Sequence, residues 1–304
     1  MVVVCSFLFS LSCSLSDPAP PPLVEVVSQS DPYQEYLTHD GVYVTFSGGI
    51  GEPALIRLLE DKDMQPLKSI TVHGQQLTER SVVAIMNAES TTPLHSLFLQ
   101  GSTIGDAGLK SIATAPRLAQ VEHLNLEKVN ATSAGVAALA ASPHLRAETL
   151  SIGWQAVGDV GAEALAQAKG LKSLRLESAE VGVAGAVALI ERSGLEALTL
   201  IGNPAGFTDL AGVAPSLQAL TLDDCGLESS SINALAKADA PALNSLSIER
   251  TALSDEALRA IMAASWFPRL DKLSLSAQRT SPDVRAALIA EFRGEFLSIY
   301  RKDL

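Results

Sequence analysis

Five histidines, one internal cysteine and one glycine-rich segment are the residue types in this chain that could support chemistry. Histidine and cysteine side chains bind zinc, and a cysteine thiolate becomes a nucleophile when a base activates it. The residues are His39, His73, His95, His123, His144 and Cys225. The segment SGGIGE around Gly48 lacks the Lys-Ser/Thr pair and the full glycine spacing of a phosphate-binding loop. We therefore expect only a turn at Gly48.

A recurring hexamer, LxxLxL, determines where these residues lie. Six clean copies start at Leu94, Leu171, Leu195, Leu217, Leu243 and Leu270, and three looser copies start at Leu67, Val121 and Ala147. The first residues lie 22 to 27 positions apart, a period typical of solenoids whose units pair a strand with a helix. Stretches such as IGDAGLKSIA from Ile104 have apolar spacings of three and four, which predict the helix of each unit.

This register separates the candidate chemical groups. His123 occupies the third hexamer position, and His73 follows the end of a hexamer two units earlier. At ~3.3 Å per residue and ~4.8 Å per strand they lie roughly 16 Å apart, too far to bind one zinc ion. Cys225 has no histidine in its own or the adjacent units, and its place in the repeat is interior. We expect a buried structural thiol, no metal, no cofactor and no enzymatic activity.

The nine copies resemble leucine-rich repeats of the ribonuclease-inhibitor type, from roughly Leu67 to the C-terminus. The resemblance implies an α/β leucine-rich-repeat solenoid, a curved horseshoe with a parallel concave β-sheet and convex helices. The family prefers Asn or Cys after the strand, as at Asn203 and Cys225. Val129 and Ala179 depart from this pattern, so we expect a looser or hydrated turn in their units. Pro204 argues against a full helix in the unit from Leu195.

Four segments are predicted along the chain. Residues 1–22 form a leader and Pro-rich tether, 23–66 an N-terminal cap with a degenerate first repeat, 67–280 the nine repeats, and 281–304 a C-terminal cap. The apolar run before Cys13 and the Pro-rich stretch after it resemble a bacterial lipoprotein leader, although the n-region has no Lys or Arg. The resemblance implies acylation of Cys13 and export to the cell envelope, as a lipid-anchored, periplasmic or secreted protein. The alternative is a cytoplasmic protein with a disordered tail.

Composition restricts the class of partner. The chain has 304 residues, 47% of them hydrophobic, and a formal net charge of -12. This charge argues against nucleic acid as a partner and favours a neutral to basic protein or peptide. No run of 18 or more apolar residues follows the leader, so we expect membrane contact only through an N-terminal lipid. We expect a monomer.

The concave face is the predicted binding surface. Side chains at hexamer positions three and five, and at the two following positions, seven and eight, should point out from the sheet, since alternate strand residues face opposite sides. The predicted partner-binding residues are Phe98, Asn125, Glu127, Trp154, Arg175, Glu177, Asp223 and Glu249. Phe98 and Trp154 are the expected anchors, because exposed rings supply buried area on binding. Arg175 and Arg250 are expected to pair with nearby carboxylates.

Structural explanations compete with this interpretation. Trp154 could fold over the end of its strand, Phe98 could be an isolated surface ring, and the acids could only keep the surface solvated. Two functional hypotheses remain. The first is a non-catalytic scaffold that binds a protein or peptide through the concave face. The alternative is an effector-type enzyme subunit with ligase-like substrate recognition, whose catalytic part a partner supplies.

Overall fold

The computed structural model describes part of the chain, within the unit Pro32–Leu304. The described residues are 37–39, 43–46, 52–60, 68–72, 77–88, 93–192, 194–207, 209–210, 212–276 and 279–300, with side chains at all of them except 37–39, 43–46, 54, 58 and 300. The predicted leader with Cys13, the Gly48 segment and His73 lie outside this part.

Twelve strands in the described residues form one sheet, in chain order. The strands are β1 Leu37–His39, β2 Tyr43–Phe46, β3 Ser69–Val72, β4 Ser96–Phe98, β5 His123–Glu127, β6 Thr149–Gly153, β7 Ser173–Glu177, β8 Ala197–Ile201, β9 Ala219–Asp223, β10 Ser245–Ile248, β11 Lys272–Ser276 and β12 Phe296–Tyr300. Strand β1 is antiparallel to β2, and every later pair is parallel. Each of the nine hexamers contributes one strand, β3 to β11.

Helices follow most strands. They are α1 Glu52–Glu60, α2 Glu79–Asn87, α3 Gly105–Thr114, α4 Ser133–Ala140, α5 Gly158–Gln167, α6 Val183–Ile190, α7 Ser229–Lys237, α8 Asp255–Ala263 and α9 Pro282–Glu291. Between β8 and β9 the described residues contain no helix, as Pro204 predicted, and the buried Phe207 fills this unit instead. No helix in the described ranges has the length and apolar character needed to cross a bilayer.

The strand register matches the predicted phase. Leu97, Leu174 and Leu220 lie in the hydrophobic core. Their neighbours Phe98 and Arg175 point away from it and are partly solvent-exposed. The solvent side of the sheet, which carries positions three, five, seven and eight, is the predicted concave face and is called the sheet face below.

Side-chain amides close the buried turns after the strands. Oδ1 of Asn203 accepts from the backbone N–H groups of Ala179 and Val181, at 3.0 and 3.2 Å. Oε1 of Gln155 accepts in the same way from Val129 and Ala131. The prediction of looser turns at Val129 and Ala179 is therefore wrong, because a side-chain amide of the following unit supplies the acceptor for the backbone N–H groups of each turn.

Acidic side chains connect neighbouring helices. Near the start of α3, Asp106 accepts from the backbone N–H and the hydroxyl of Thr132, the N-cap of α4, both at 2.7 Å. Glu52 accepts from Thr78 and Ser81 at the start of α2, and Asp255 accepts from Ser281 at the start of α9. A carboxylate is stabilised there, since unpaired N–H groups and the helix dipole give a helix N-terminus a positive potential. Part of the acidic excess is therefore structural.

These contacts predict lower stability in acid. Hydrogen bonds from Ser81 and then Thr78 lower the pKa of Glu52, and hydrogen bonds from Ser281 lower the pKa of Asp255. Burial opposes ionisation of Asp106, but the Thr132 hydrogen bonds outweigh it and lower its pKa. A group with a lowered folded-state pKa stabilises the fold above its unfolded pKa of about 4 and loses this contribution as the pH falls through the folded value.

We therefore expect the melting temperature to stay nearly constant from about pH 7 to 5 and to fall below about pH 4. Thermal unfolding followed by circular dichroism measures this. Asp106→Asn should flatten the acid slope, whereas Glu163→Gln, at an exposed site on α5, should not. Equal slopes in both variants and the parent would contradict the assignment to the helix starts.

Candidate functional site

A polar cluster occupies the middle of the sheet face. Nε of Arg175 on β7 lies 3.6 Å from Oε1 of Glu127 on β5, and its Nη2 pairs with Oε2 of Glu177. Nε2 of Gln100 donates to Oε2 of Glu127 at 3.0 Å. Glu127 is only 9% exposed. Burial, and to a smaller extent the nearby Glu177, raise its pKa, although Arg175 opposes the shift. The cluster therefore holds a largely desolvated carboxylate close to a surface.

Gly153 on β6 lies between two glutamates of this cluster, where the backbone of β7 approaches closely. It is paired with Glu127 on one side and Glu177 on the other, at position seven of its unit. A Cβ atom at Gly153 would lie 2.3 Å from the carbonyl oxygen of Glu177. The missing side chain leaves the two glutamates on either side of a gap in this row, and Arg175 bridges them both.

Trp154 follows Gly153 in a strained backbone conformation. Its φ is +55°, in the left-handed region that bulky residues rarely adopt. The turn imposes this geometry, because position eight has φ between +47° and +76° in seven successive units. Within these seven units, glycine fills this position at Gly101 and Gly202, and the other five residues are not glycine. The Trp154 ring is 49% exposed, and Nζ of Lys128 lies 4.7 Å from its centroid. A large ring therefore occupies an unfavourable position without being buried.

Trp154→Gly should leave the melting temperature unchanged or raise it. Glycine adopts positive φ without the cost of roughly 1 kcal/mol that other residues incur, which offsets the lost partial burial of the ring. Differential scanning calorimetry of the variant and the parent measures the change. Ser178→Gly, at position eight of the next unit with φ of +47°, is the matched control. It removes the cost of a positive φ without removing a large ring. A melting temperature clearly lower in Trp154→Gly alone would assign the ring a structural role.

A second polar cluster lies further along the sheet face. Oδ1 of Asp223 accepts from the hydroxyl of Ser247 and the backbone N–H of Glu249, both at 2.8 Å. Oε1 of Glu249 accepts from the Ser274 hydroxyl. Burial raises the pKa of Asp223, although the hydrogen bonds from the Glu249 backbone and the Ser247 hydroxyl oppose the shift. With the exposed Asp224 beside it, this end of the sheet face carries excess negative charge.

The structure groups the predicted partner-binding residues into separate sets. Glu127, Arg175 and Glu177 form the first cluster, and Oδ1 of Asn125 joins it by accepting from the Glu127 backbone N–H. Trp154 lies at its edge, and Asp223 with Glu249 forms the second cluster. Phe98 is partly exposed on β4, two strands from β6.

Sequence reasoning missed three contributors to these sets and mispaired one residue. Gln100 and Lys128 occupy positions predicted to point out from the sheet but were not among the predicted partner-binding residues. Gly153 was not predicted, although its absent side chain was visible at position seven. The pairing predicted for Arg175 is present. That predicted for Arg250 is wrong, because no carboxylate of the described residues lies within ion-pair distance of its side chain.

The cysteine and histidine side chains that could support chemistry either have a structural role or lie apart from one another. Cys225 is fully buried, and its thiol lies 3.3 Å from the Leu200 carbonyl oxygen. Burial raises its pKa to about 11, which opposes formation of a thiolate. Nδ1 of His123 lies 2.7 Å from the hydroxyl oxygen of Thr149. Within the described ranges, no three or more His, Cys, Asp or Glu side chains are arranged to hold a metal ion.

Comparisons with known proteins find one family match, over a short segment, and solved structures of low sequence identity. The family model described as Leucine Rich repeat matches residues 92–113. A crystal structure of a TLR13–ssRNA13 complex is similar with 18% identity, 80% of this chain and 37% of that chain covered, and a TM-score of 0.46. An internalin, InlF of Listeria monocytogenes, is similar with 14% identity, 83% and 95% covered, and a TM-score of 0.31. The chain thus spans 37% of the length of the TLR13 chain. No curated protein matches the sequence significantly.

The class of protein follows from the repeat geometry. Nine in-phase hexamers each contribute a strand to one parallel sheet, with the leucines inside and helices on the opposite side. The family match covers the end of one unit's loop, its strand and most of its helix. The chain therefore has the fold of an α/β leucine-rich-repeat solenoid.

Proposed function

We propose that this chain is a non-catalytic interaction scaffold that binds a protein or peptide through the sheet face. The contact surface consists of Trp154, Phe98 and the Glu127–Arg175–Glu177 cluster. The acidic pair Asp223 and Glu249 extends it. The partner is neutral to basic where it meets that pair.

The exposure and the backbone conformation of Trp154 support this proposal most directly. Its ring is 49% exposed, and its backbone has a positive φ that glycine would adopt more easily. A residue held in an unfavourable conformation without compensating burial indicates a functional constraint. Tryptophan is also among the residues that contribute most to binding when a partner covers them.

The ion cluster supports a binding role because its charges are fixed before a partner arrives. Arg175 is held between Glu127 on β5 and Glu177 on its own strand, β7. Its guanidinium therefore needs little reordering when a partner binds. Charge arrangements of this kind select partners and orient them more than they add affinity. Asp223 and Glu249 add negative charge, and a Lys or Arg of the partner would match it.

The test is a site-specific photo-crosslink. We expect a photoreactive phenylalanine at Trp154 to crosslink a protein in extracts of the source cells, and mass spectrometry identifies it. Lys110, exposed on α3 at the helix side, is the control position and should give no such product. Equal products at both positions, no product at Trp154, or RNA as the crosslinked species would overturn the proposal.

Removing both rings tests the same surface without a photoreactive group. Phe98→Ala with Trp154→Ala should reduce capture of the crosslinked partner about tenfold or more, since truncation of one anchor residue often costs at least ~2 kcal/mol. The melting temperature should change little. Loss of folding would assign the rings to the core.

A further inference from the structure

The helix side of the solenoid has an unusually apolar region. Four outward positions per helix, spaced i, i+3, i+4 and i+7, begin at Ala134 in α4, Val160 in α5 and Ala184 in α6. Nine of these twelve positions are Ala or Val, and all twelve are at least partly exposed. At the eight corresponding positions of the flanking helices α3 and α7, only Ala107 and Ala234 are Ala or Val, and Lys110 and Lys237 are charged. Exposed apolar surface of this kind often marks a binding site.

A groove lies within this region, between the C-terminal ends of α4 and α5. It has a volume of about 550 Å³, within the range of small-molecule sites. Ala137, Ala140, Ala141 and Ala164 supply apolar lining, and Arg146 and Lys169 line it where it meets solvent.

The groove is open because a contact present at other junctions is missing here. Between α5 and α6, Arg192 donates to the carbonyl oxygens of Ala166, Ala168 and Leu171 in the preceding unit. Arg117 donates in the same way across the α2–α3 junction. In the described part of the chain, no side chain makes such a contact between α4 and α5.

The charge of the groove indicates the ligand. Both charged residues that line it are cations, in a chain of net charge -12. Neither forms an ion pair with a described carboxylate. Ser142 and Gln167 also line the groove, and Arg146 donates to the Leu145 carbonyl oxygen at 2.8 Å. An alanine-lined surface with two cations that have no carboxylate partner complements an alkyl chain that ends in an anionic group. We propose that this groove binds an alkyl carboxylate, a medium-chain fatty acid, with the chain on the alanines and the carboxylate at Arg146 and Lys169.

The test is isothermal titration calorimetry of the full chain with decanoate below its micelle concentration. Saturable binding is expected, about tenfold or more tighter than binding of decyltrimethylammonium, which has the same chain and the opposite charge. Arg146→Glu and Lys169→Glu should each weaken decanoate binding about three- to tenfold. Ala164→Phe should abolish it by filling the groove. Thermal melting of each variant verifies that it remains folded.

Lys237→Glu is the matched control, because Lys237 is an exposed cation in the last turn of α7. It should leave decanoate affinity unchanged. Three outcomes would overturn the proposal: no saturable heat with decanoate, equal affinity for the anionic and cationic probes, or equal weakening by Lys237→Glu and Lys169→Glu.

Discussion

Leu174→Ala is expected to lower the free energy of unfolding by ~2 to 5 kcal/mol. Leu174 is 1% exposed on β7 and is paired with the buried Leu150 and Leu198 on the neighbouring strands. Truncation removes buried methyl groups and leaves a cavity that the close-packed units on both sides can fill only partly. Urea denaturation monitored by circular dichroism gives the change.

The control for this variant is Val160→Ala. Val160 is 64% exposed on α5, so its truncation should change the free energy of unfolding by less than about 0.5 kcal/mol. Similar losses in the two variants would mean that the hexamer leucines contribute no more than surface residues, which is incompatible with the observed register.

Asn203→Ala is expected to cost about 2 to 4 kcal/mol, although it removes little apolar surface. The Asn203 side chain is 1% exposed and makes four hydrogen bonds to the backbone. Alanine would leave the N–H groups of Ala179 and Val181 buried without an acceptor. The loss of partners for these two donors, rather than the lost hydrogen bonds themselves, accounts for most of the expected cost.

Asn233→Ala separates this effect from the change of residue type. Asn233 lies partly exposed in α7, and its side chain makes no hydrogen bond to another described residue. Alanine has the higher helix propensity, so this variant should be neutral or slightly stabilised. Cys225→Ser tests the same buried position one unit later and should be tolerated better than Asn203→Ala, because a hydroxyl can replace the thiol as a donor.

The sequence was sufficient to predict the solenoid because its signal is repeated. One LxxLxL segment does not distinguish a strand from a short helix, but nine in phase require one sheet with the leucines on a common side. The missing helix after β8 was also predictable, since Pro204 is a local constraint.

Contacts between units were less predictable. Val129 looked unfavourable when its own unit was considered alone, whereas its N–H is satisfied by Gln155 in the next unit. The role of Asp106 was hidden for the same reason: it reads as an ordinary residue of the first turn of α3, yet it accepts hydrogen bonds at the start of α4. Trp154 was predicted to face solvent, but its positive φ follows from the turn and not from its residue type. The contacts of Val129 and Asp106 each join residues 26 positions apart in the sequence, so inspection of a single unit does not show them.

The interrupted helix layer between β8 and β9 affects how the repeats cooperate. In a linear array, each unit is stabilised mainly by its two neighbours, so the coupling between adjacent units determines whether the array unfolds as a whole or in parts. From β2 to β7 and from β9 to β11, neighbouring units share both a strand pair and a helix pair in the described residues. At this step the sheet pairing of β8 with β9 continues, whereas α6 and α7 are separated by a unit without a described helix. The weakest thermodynamic link therefore lies between the part of the array that holds Trp154 and the part that holds Asp223 and Glu249.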